Sequence, residues 1–199
     1  FQYPEYQLFD ETVRADIAFG PKNMNLSAEE CDARVARAAA FCGIDETVLS
    51  RSPFELSGGQ KRRAAIAGVL AMDPEVLVLD EPAAGLDPRG REEILGGLME
   101  YQKQRQSTML IISHSMEDIA KYADSILVLK NGKIFLFGTV GEVFADAQKL
   151  FDSSLDLPQI TKLFVELQKR GLADRTDVYT VGYAVKTAAK LAENAAKEL

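Results

Sequence analysis

Apolar positions in the first part of the chain recur at a helical period. Ser27-Ala28-Glu29-Glu30 has the spacing of a capping box, and Val35, Ala38, Ala39 and Cys42 follow it on one face, so residues 1–55 read as mainly helical. Gly43 marks the end of that helix. A further helix is expected to begin at Gly59 or Gln60 and to run to about Met72, where Asp73-Pro74 stops it. Val76-Leu77-Val78-Leu79 breaks the period: four consecutive apolar residues predict a strand buried on both faces. Pro88 suits the first turn of the next helix, with Ile94, Leu95, Leu98 and Met99 as its apolar stripe. Thr108-Met109-Leu110-Ile111-Ile112-Ser113 predicts a second buried strand, and a short helix is expected over 116–122. Segments 125–129 and 133–137 flank Asn131-Gly132, a strong two-residue hairpin signal. Beyond Gly138 the pattern is helical and rich in Ala, Lys and Glu. Helix, buried strand, helix, buried strand is the order of an α/β layer with parallel central strands.

Composition narrows the class. With 199 residues there is room for one ample core and an appendage. A net charge of −7 argues against a general nucleic-acid binder, and Lys61-Arg62-Arg63 is the sole compact basic run. Cys31 and Cys42 have neither metal-ligand spacing nor the density of a disulfide scaffold, so both are expected as core-lining thiols in a reducing compartment. No apolar run approaches the roughly 20 residues that a membrane helix needs, and a charged-then-apolar leader is missing, so the chain is expected to be soluble.

The chemistry gathers where the elements meet. Leu56-Ser57-Gly58-Gly59-Gln60 puts two glycines at a helix mouth, each costing roughly 1 kcal/mol inside a helix, so another group is expected to approach the backbone there. An anion is the natural candidate. Asp80-Glu81 ends one strand, Gly85-Leu86-Asp87 lies in the following turn, and His114 ends the next strand. Ligands of open α/β sheets bind outside the carboxyl ends of the strands. There Asp80 suits Mg²⁺, a hard cation that takes carboxylate oxygen, and Glu81, pointing the other way, suits polarising an attacking water. Each element has a plain structural reading by itself; their order and spacing favour a single site.

On these residues the chain resembles the ATP-binding cassette family. Leu56-Ser57-Gly58-Gly59-Gln60 is similar to its signature motif, residues 76–80 to its Walker B strand, Glu81 to its catalytic carboxylate, Gly85-Leu86-Asp87 to its D-loop and His114 to its switch histidine. Gln2, in Phe1-Gln2-Tyr3-Pro4, matches its Q-loop glutamine. The resemblance implies an α/β fold: a partial P-loop-NTPase-like cassette with a parallel-stranded core, a helical subdomain and a C-terminal helical extension. The Q-loop and helical subdomain would occupy 1–55, the α/β core with signature, Walker B, D-loop and switch histidine 56–145, and the C-terminal helical extension 146–199. It also implies ATP and Mg²⁺ as cofactors. Glu81, His114 and Gln2 would then be catalytic, Ser57, Gly58, Gly59, Gln60 and Asp87 would touch nucleotide, and Asp80 with Gln2 would hold the metal. In that family two cassettes sandwich two ATP molecules, and the signature of one subunit meets the γ-phosphate held by the other.

The resemblance narrows further. Phe1-Gln2-Tyr3-Pro4-Glu5-Tyr6-Gln7-Leu8-Phe9, Asp16-Ile17-Ala18-Phe19-Gly20-Pro21, Ser113-His114-Ser115-Met116-Glu117-Asp118 and Leu157-Pro158-Gln159-Ile160 are similar to the ATPase subunits of energy-coupling-factor importers of metal ions, cobalt among them, or vitamins. This implies a cytoplasmic protein, peripheral on the inner face of the membrane, that hydrolyses ATP to drive import. Its implied partners are a second cassette ATPase, a transmembrane coupling subunit and a substrate-binding membrane subunit, with no nucleic acid.

Two features depart from the pattern. No Gly-x-x-x-x-Gly-Lys-Ser/Thr loop occurs: the one Gly-Lys, Gly132-Lys133, is followed by Ile134 and has Leu127 where the first glycine belongs. The chain is therefore expected to begin inside the domain, truncated before its Walker A loop, and to be a very weak ATPase or none by itself. Ala83 stands where threonine is usual. Two other readings stay open: a soluble cassette ATPase of DNA repair or translation, and a non-enzymatic dimerisation module built on the C-terminal helices. Against the DNA-repair type, only 54 positions separate Gln2 from Leu56, too few for a long coiled-coil insertion.

Overall fold

Side-chain caps start the helices of the N-terminal part. Thr12 Oγ1 accepts from the Ala15 amide at α1 (Val13–Asn23), Ser27 Oγ from the Glu30 amide at α2 (Ala28–Phe41), and Asp45 from the Val48 amide at the single turn α3 (Glu46–Leu49). Each satisfies one of the orphan donors of a helix start. The predicted capping box at Ser27 is only half made. The Glu30 carboxylate turns instead to Arg34 Nε at 2.9 Å, because a cation four residues on is the stronger partner. The computed structural model describes residues 4–145, 150 and 155–197, and the chain divides into two compact units, 1–112 and 113–199.

In the first unit α1 packs on α2 and on α4 (Gly58–Ala71), burying Val13, Ile17, Val35, Ala39 and Ala67. Asp16 is buried among them, and its two carboxylate oxygens accept the Phe9 and Asp10 amides at 3.1 and 3.2 Å. Burial raises its pKa although both amide bonds pull it down. Cys31 and Cys42 are free, buried thiols, as expected, and burial pushes Cys42 up to about 12.

Strand β1 (Val76–Asp80) pairs in parallel with β2 (Thr108–Ile112), from Val76↔Thr108 to Asp80↔Ile112. The parallel pairing is as predicted; burial on both faces is not. Leu77 and Leu79 are buried, whereas Val76 and Val78 are 61% and 51% exposed and Leu110 and Ile112 are each 50% exposed. Successive strand side chains point to opposite faces, and among the described residues of this unit no element covers the second face. Between the strands runs α5 (Pro88–Arg105), begun by Asp87, whose Oδ1 accepts the Gly90 amide at 2.7 Å, and buried through Ile94, Leu95 and Leu98. It meets the end of α2 at Phe41, whose ring stands edge-on to Tyr101.

The second unit begins with α6 (Met116–Tyr122), capped by Ser115, and continues into the antiparallel hairpin β3 (Ser125–Lys130) and β4 (Lys133–Thr139). Asn131 and Gly132 both adopt positive φ, 52° and 71°, as the tight turn requires. Helix α7 (Val140–Ala145) closes on the hairpin through Val140, Val143 and Phe144. Helices α8 (Gln159–Lys169) and α9 (Val181–Lys197) follow, with a small core of Phe164, Val178 and Ala184. No helix among the described residues is long and apolar enough to cross a membrane.

Candidate functional site

The mouth of α4 carries a complete reciprocal cap. Ser57 Oγ accepts the Gln60 amide at 3.3 Å, and Gln60 Oε1 accepts the Ser57 amide at 3.1 Å. The signal for this, serine followed three residues later by glutamine, stands in the sequence beside the glycine pair that draws attention first. Of the donors that a helix start leaves over, two are thereby satisfied. The other two are the first-turn amides of Gly58 and Gly59, at the end where the helix dipole is positive.

The two glycines serve different ends. A Cβ on Gly59 would lie 3.1 Å from Leu86 Cδ2, so this position is small to admit the 85–87 turn. A Cβ on Gly58 would meet nothing within 4 Å, which leaves that side of the backbone open to an approaching group. Ser57, Gly59 and Gln60 line a groove of ≈ 450 Å³ together with Arg63, Asp45 and the turn Gly85, Leu86 and Asp87. Gly85 takes φ +74° there. The charges in this groove are engaged. Asp87 caps α5, Arg63 is paired with Glu93 at 2.6 Å, and Asp45 is held below the usual carboxylate range by the Thr47 hydroxyl and the Val48 amide.

Asp80 and Glu81 lie elsewhere in the same unit, half-buried at the carboxyl end of β1. They line a narrow gap of ≈ 20 Å³ with Arg62, Ile66, Leu79 and Pro82. Glu81 has φ +50°, a left-handed backbone that costs a non-glycine residue on the order of 1–3 kcal/mol and persists only where its surroundings enforce it. Here the Glu81 amide donates to the Ile112 carbonyl at 2.9 Å, at the end of β2, and its own carbonyl accepts from Ala84 at 3.1 Å. His114 belongs to the second unit, exposed, one residue before the cap of α6. Gln2 lies outside the described residues. The structure thus joins Ser57, Gly59, Gln60 and Asp87 in one groove and puts Asp80 and Glu81 together at a strand end.

Arg62 escaped the sequence reading. Within the run Lys61-Arg62-Arg63 it looks like one more solvated cation, yet it is buried and its guanidinium donates from Nη1 to the Ala84 carbonyl. The helical period carries the distinction, because successive residues are turned by about 100° and only the middle one faces inward.

Comparison with known proteins shows which family the chain belongs to. Residues 2–84 match the ABC transporter family. The energy-coupling factor transporter ATP-binding protein EcfA2 of Clostridium tetani is 51% identical over 197 residues, 98% of this chain and 68% of that protein. Its namesake in Caldanaerobacter subterraneus is 55% identical over 181 residues, 91% of this chain and 63% of that protein. The chain thus spans about two thirds of the length of these relatives. Among solved structures, CbiO1 of Clostridium perfringens, part of an ABC transporter complex, superposes with a TM-score of 0.68 at 41% identity, covering 86% of this chain and 64% of its own. A dimeric ATP-binding cassette in a post-hydrolysis state, bound to ADP and phosphate, gives 0.51 at 27% identity, covering 57% of this chain and 49% of its own. The chain belongs to the ABC transporter ATPases, in the group of energy-coupling factor transporter ATP-binding proteins.

Proposed function

We propose that this chain is the signature-bearing and catalytic part of an ATPase subunit that energises an energy-coupling factor importer of a metal ion or vitamin. The observation that carries the reading is the mouth of α4, where the reciprocal Ser57–Gln60 cap leaves the Gly58 and Gly59 amides to meet an anion. In this reading the anion is the γ-phosphate of an ATP bound by a second cassette subunit, and Asp87 meets that subunit across the same groove.

On the chain's own nucleotide, Glu81 orients and deprotonates the attacking water, and His114 and Gln2 complete the arrangement around the phosphate. The protein's contribution is positioning and charge stabilisation. Among the described residues no group of three or more His, Cys, Asp or Glu is placed to hold a metal ion. Magnesium carried by the triphosphate would be met by Asp80, with Gln2 as a further ligand, and it would neutralise charge on the phosphate oxygens.

Membrane fractionation tests the assignment. The protein is expected in washed membranes, recovered with a second cassette ATPase and a transmembrane subunit, and to raise ATP-dependent uptake in vesicles. Recovery with ribosomes or DNA and none with membranes would contradict it.

A further inference from the structure

We propose that Arg62 is a positioning residue for Glu81, linking the phosphate-facing helix α4 to the turn that sets the catalytic carboxylate. The proposal rests on the reading of Glu81 as the group that activates water.

Arg62 stands one turn inside α4, four residues after Gly58, and is only 7% exposed. A buried guanidinium needs partners, since a charge without hydrogen bonds in an apolar setting is very costly. One is the Ala84 carbonyl, which closes the turn that begins at Glu81. That turn is held at three points: its first amide by the Ile112 carbonyl, its interior by the bond from the Ala84 amide to the Glu81 carbonyl, and its end by Arg62. Glu81 itself sits at φ +50°, a conformation that relaxes unless both ends are fixed. Arg62, Asp80, Glu81 and Pro82 also line the same narrow gap, so movement of the guanidinium changes the surroundings of both carboxylates. The start of α4 is where the partner's phosphate would arrive, and Arg62 is on that helix. A lysine is a point charge on a flexible stem and lacks the planar fork, so it replaces the arginine only in part.

The test uses a form of the protein that carries a phosphate-binding loop and hydrolyses ATP. Arg62→Ala is expected to lower kcat by roughly 10- to 100-fold, with KM for ATP and ATP-driven dimerisation changed less than about threefold. Arg62→Lys is expected to recover part of that loss, and it supplies the readout should the alanine variant not fold. Added to Glu81→Gln, Arg62→Lys should lower turnover no further, because both act on one step. A kcat per folded protein that stays at the wild-type value in Arg62→Lys, with only the melting temperature reduced, would overturn the proposal. Wild-type turnover by Glu81→Gln would remove the reading beneath it, a result distinct from the first.

Discussion

Replacing Glu81 by glutamine in an ATP-hydrolysing form of the protein is expected to lower turnover by roughly 10²- to 10⁴-fold, the usual contribution of a positioned general base. ATP-driven dimerisation should survive. Glutamine keeps the size of the carboxylate and one of its two acceptor oxygens but takes no proton from water, so the loss falls on the chemical step and not on the contacts that hold nucleotide. The backbone argues for the same split. Glu81 is fixed through its own amide and carbonyl, by Ile112 and Ala84, and neither bond involves the side chain. Phosphate release and light scattering with Mg-ATP would be measured on the same sample. Unchanged turnover would show that another group activates the water, and loss of the dimer would show that Glu81 is part of the binding surface.

The largest stability effect is expected at Gly97, and its neighbour should respond in the opposite direction. A Cβ built on Gly97 would lie 1.8 Å from the Phe41 carbonyl oxygen and 2.9 Å from its carbonyl carbon. Both atoms are backbone, at the end of α2, so no rotamer change relieves the clash and the two helices must part. Overpacking of this kind costs about 1–3 kcal/mol, and the upper end applies where the obstacle is backbone. The helix propensity of alanine returns only about 1 kcal/mol. Gly97→Ala should therefore lose about 2 kcal/mol, a fall in Tm of about 4–8 °C for a chain of this size. At Gly96, on the exposed side of the same helix, a Cβ would meet nothing within 4 Å. Gly96→Ala should gain about 1 kcal/mol, or about 2–4 °C. Thermal unfolding of the two variants checks both signs, and a Gly97→Ala protein as stable as wild type would mean that α2 and α5 do not touch as described.

These expectations depend on features that the sequence discloses unevenly. Local chemistry reads well. Asn131-Gly132 specifies its turn, Asp87-Pro88 starts α5, and Gly43, at φ +63°, follows the end of α2. In each case the residue type and the backbone conformation are tied by sterics within a few positions. Burial reads less well, because an apolar run does not say which of its faces another element will cover. Val76 and Val78 are as apolar as Leu77 and Leu79, yet the first two are exposed. Nor do distant contacts write themselves into a local pattern. The left-handed turn at Glu81 and the reach of Arg62 to Ala84 join residues brought together by the packing of α4 against the strand end, and Gly97 is small because of Phe41, far back in the chain. The motifs of the site are legible one by one. Their division between a groove at α4 and a separate strand end is a fact of the fold.

Calorimetry of Mg-ATP binding shows which residues hold the nucleotide in cis, when these 199 residues are compared with a form extended upstream through a Gly-x-x-x-x-Gly-Lys-Ser/Thr loop. Binding by the extended form, with none measurable for the 199 residues alone, is the expected result. It would mean that Ser57, Gly58, Gly59 and Gln60 act on a phosphate held by a partner, while nucleotide in cis depends on the added loop. Tight binding by the 199 residues themselves would contradict this, because the nucleotide site would then be built from other groups.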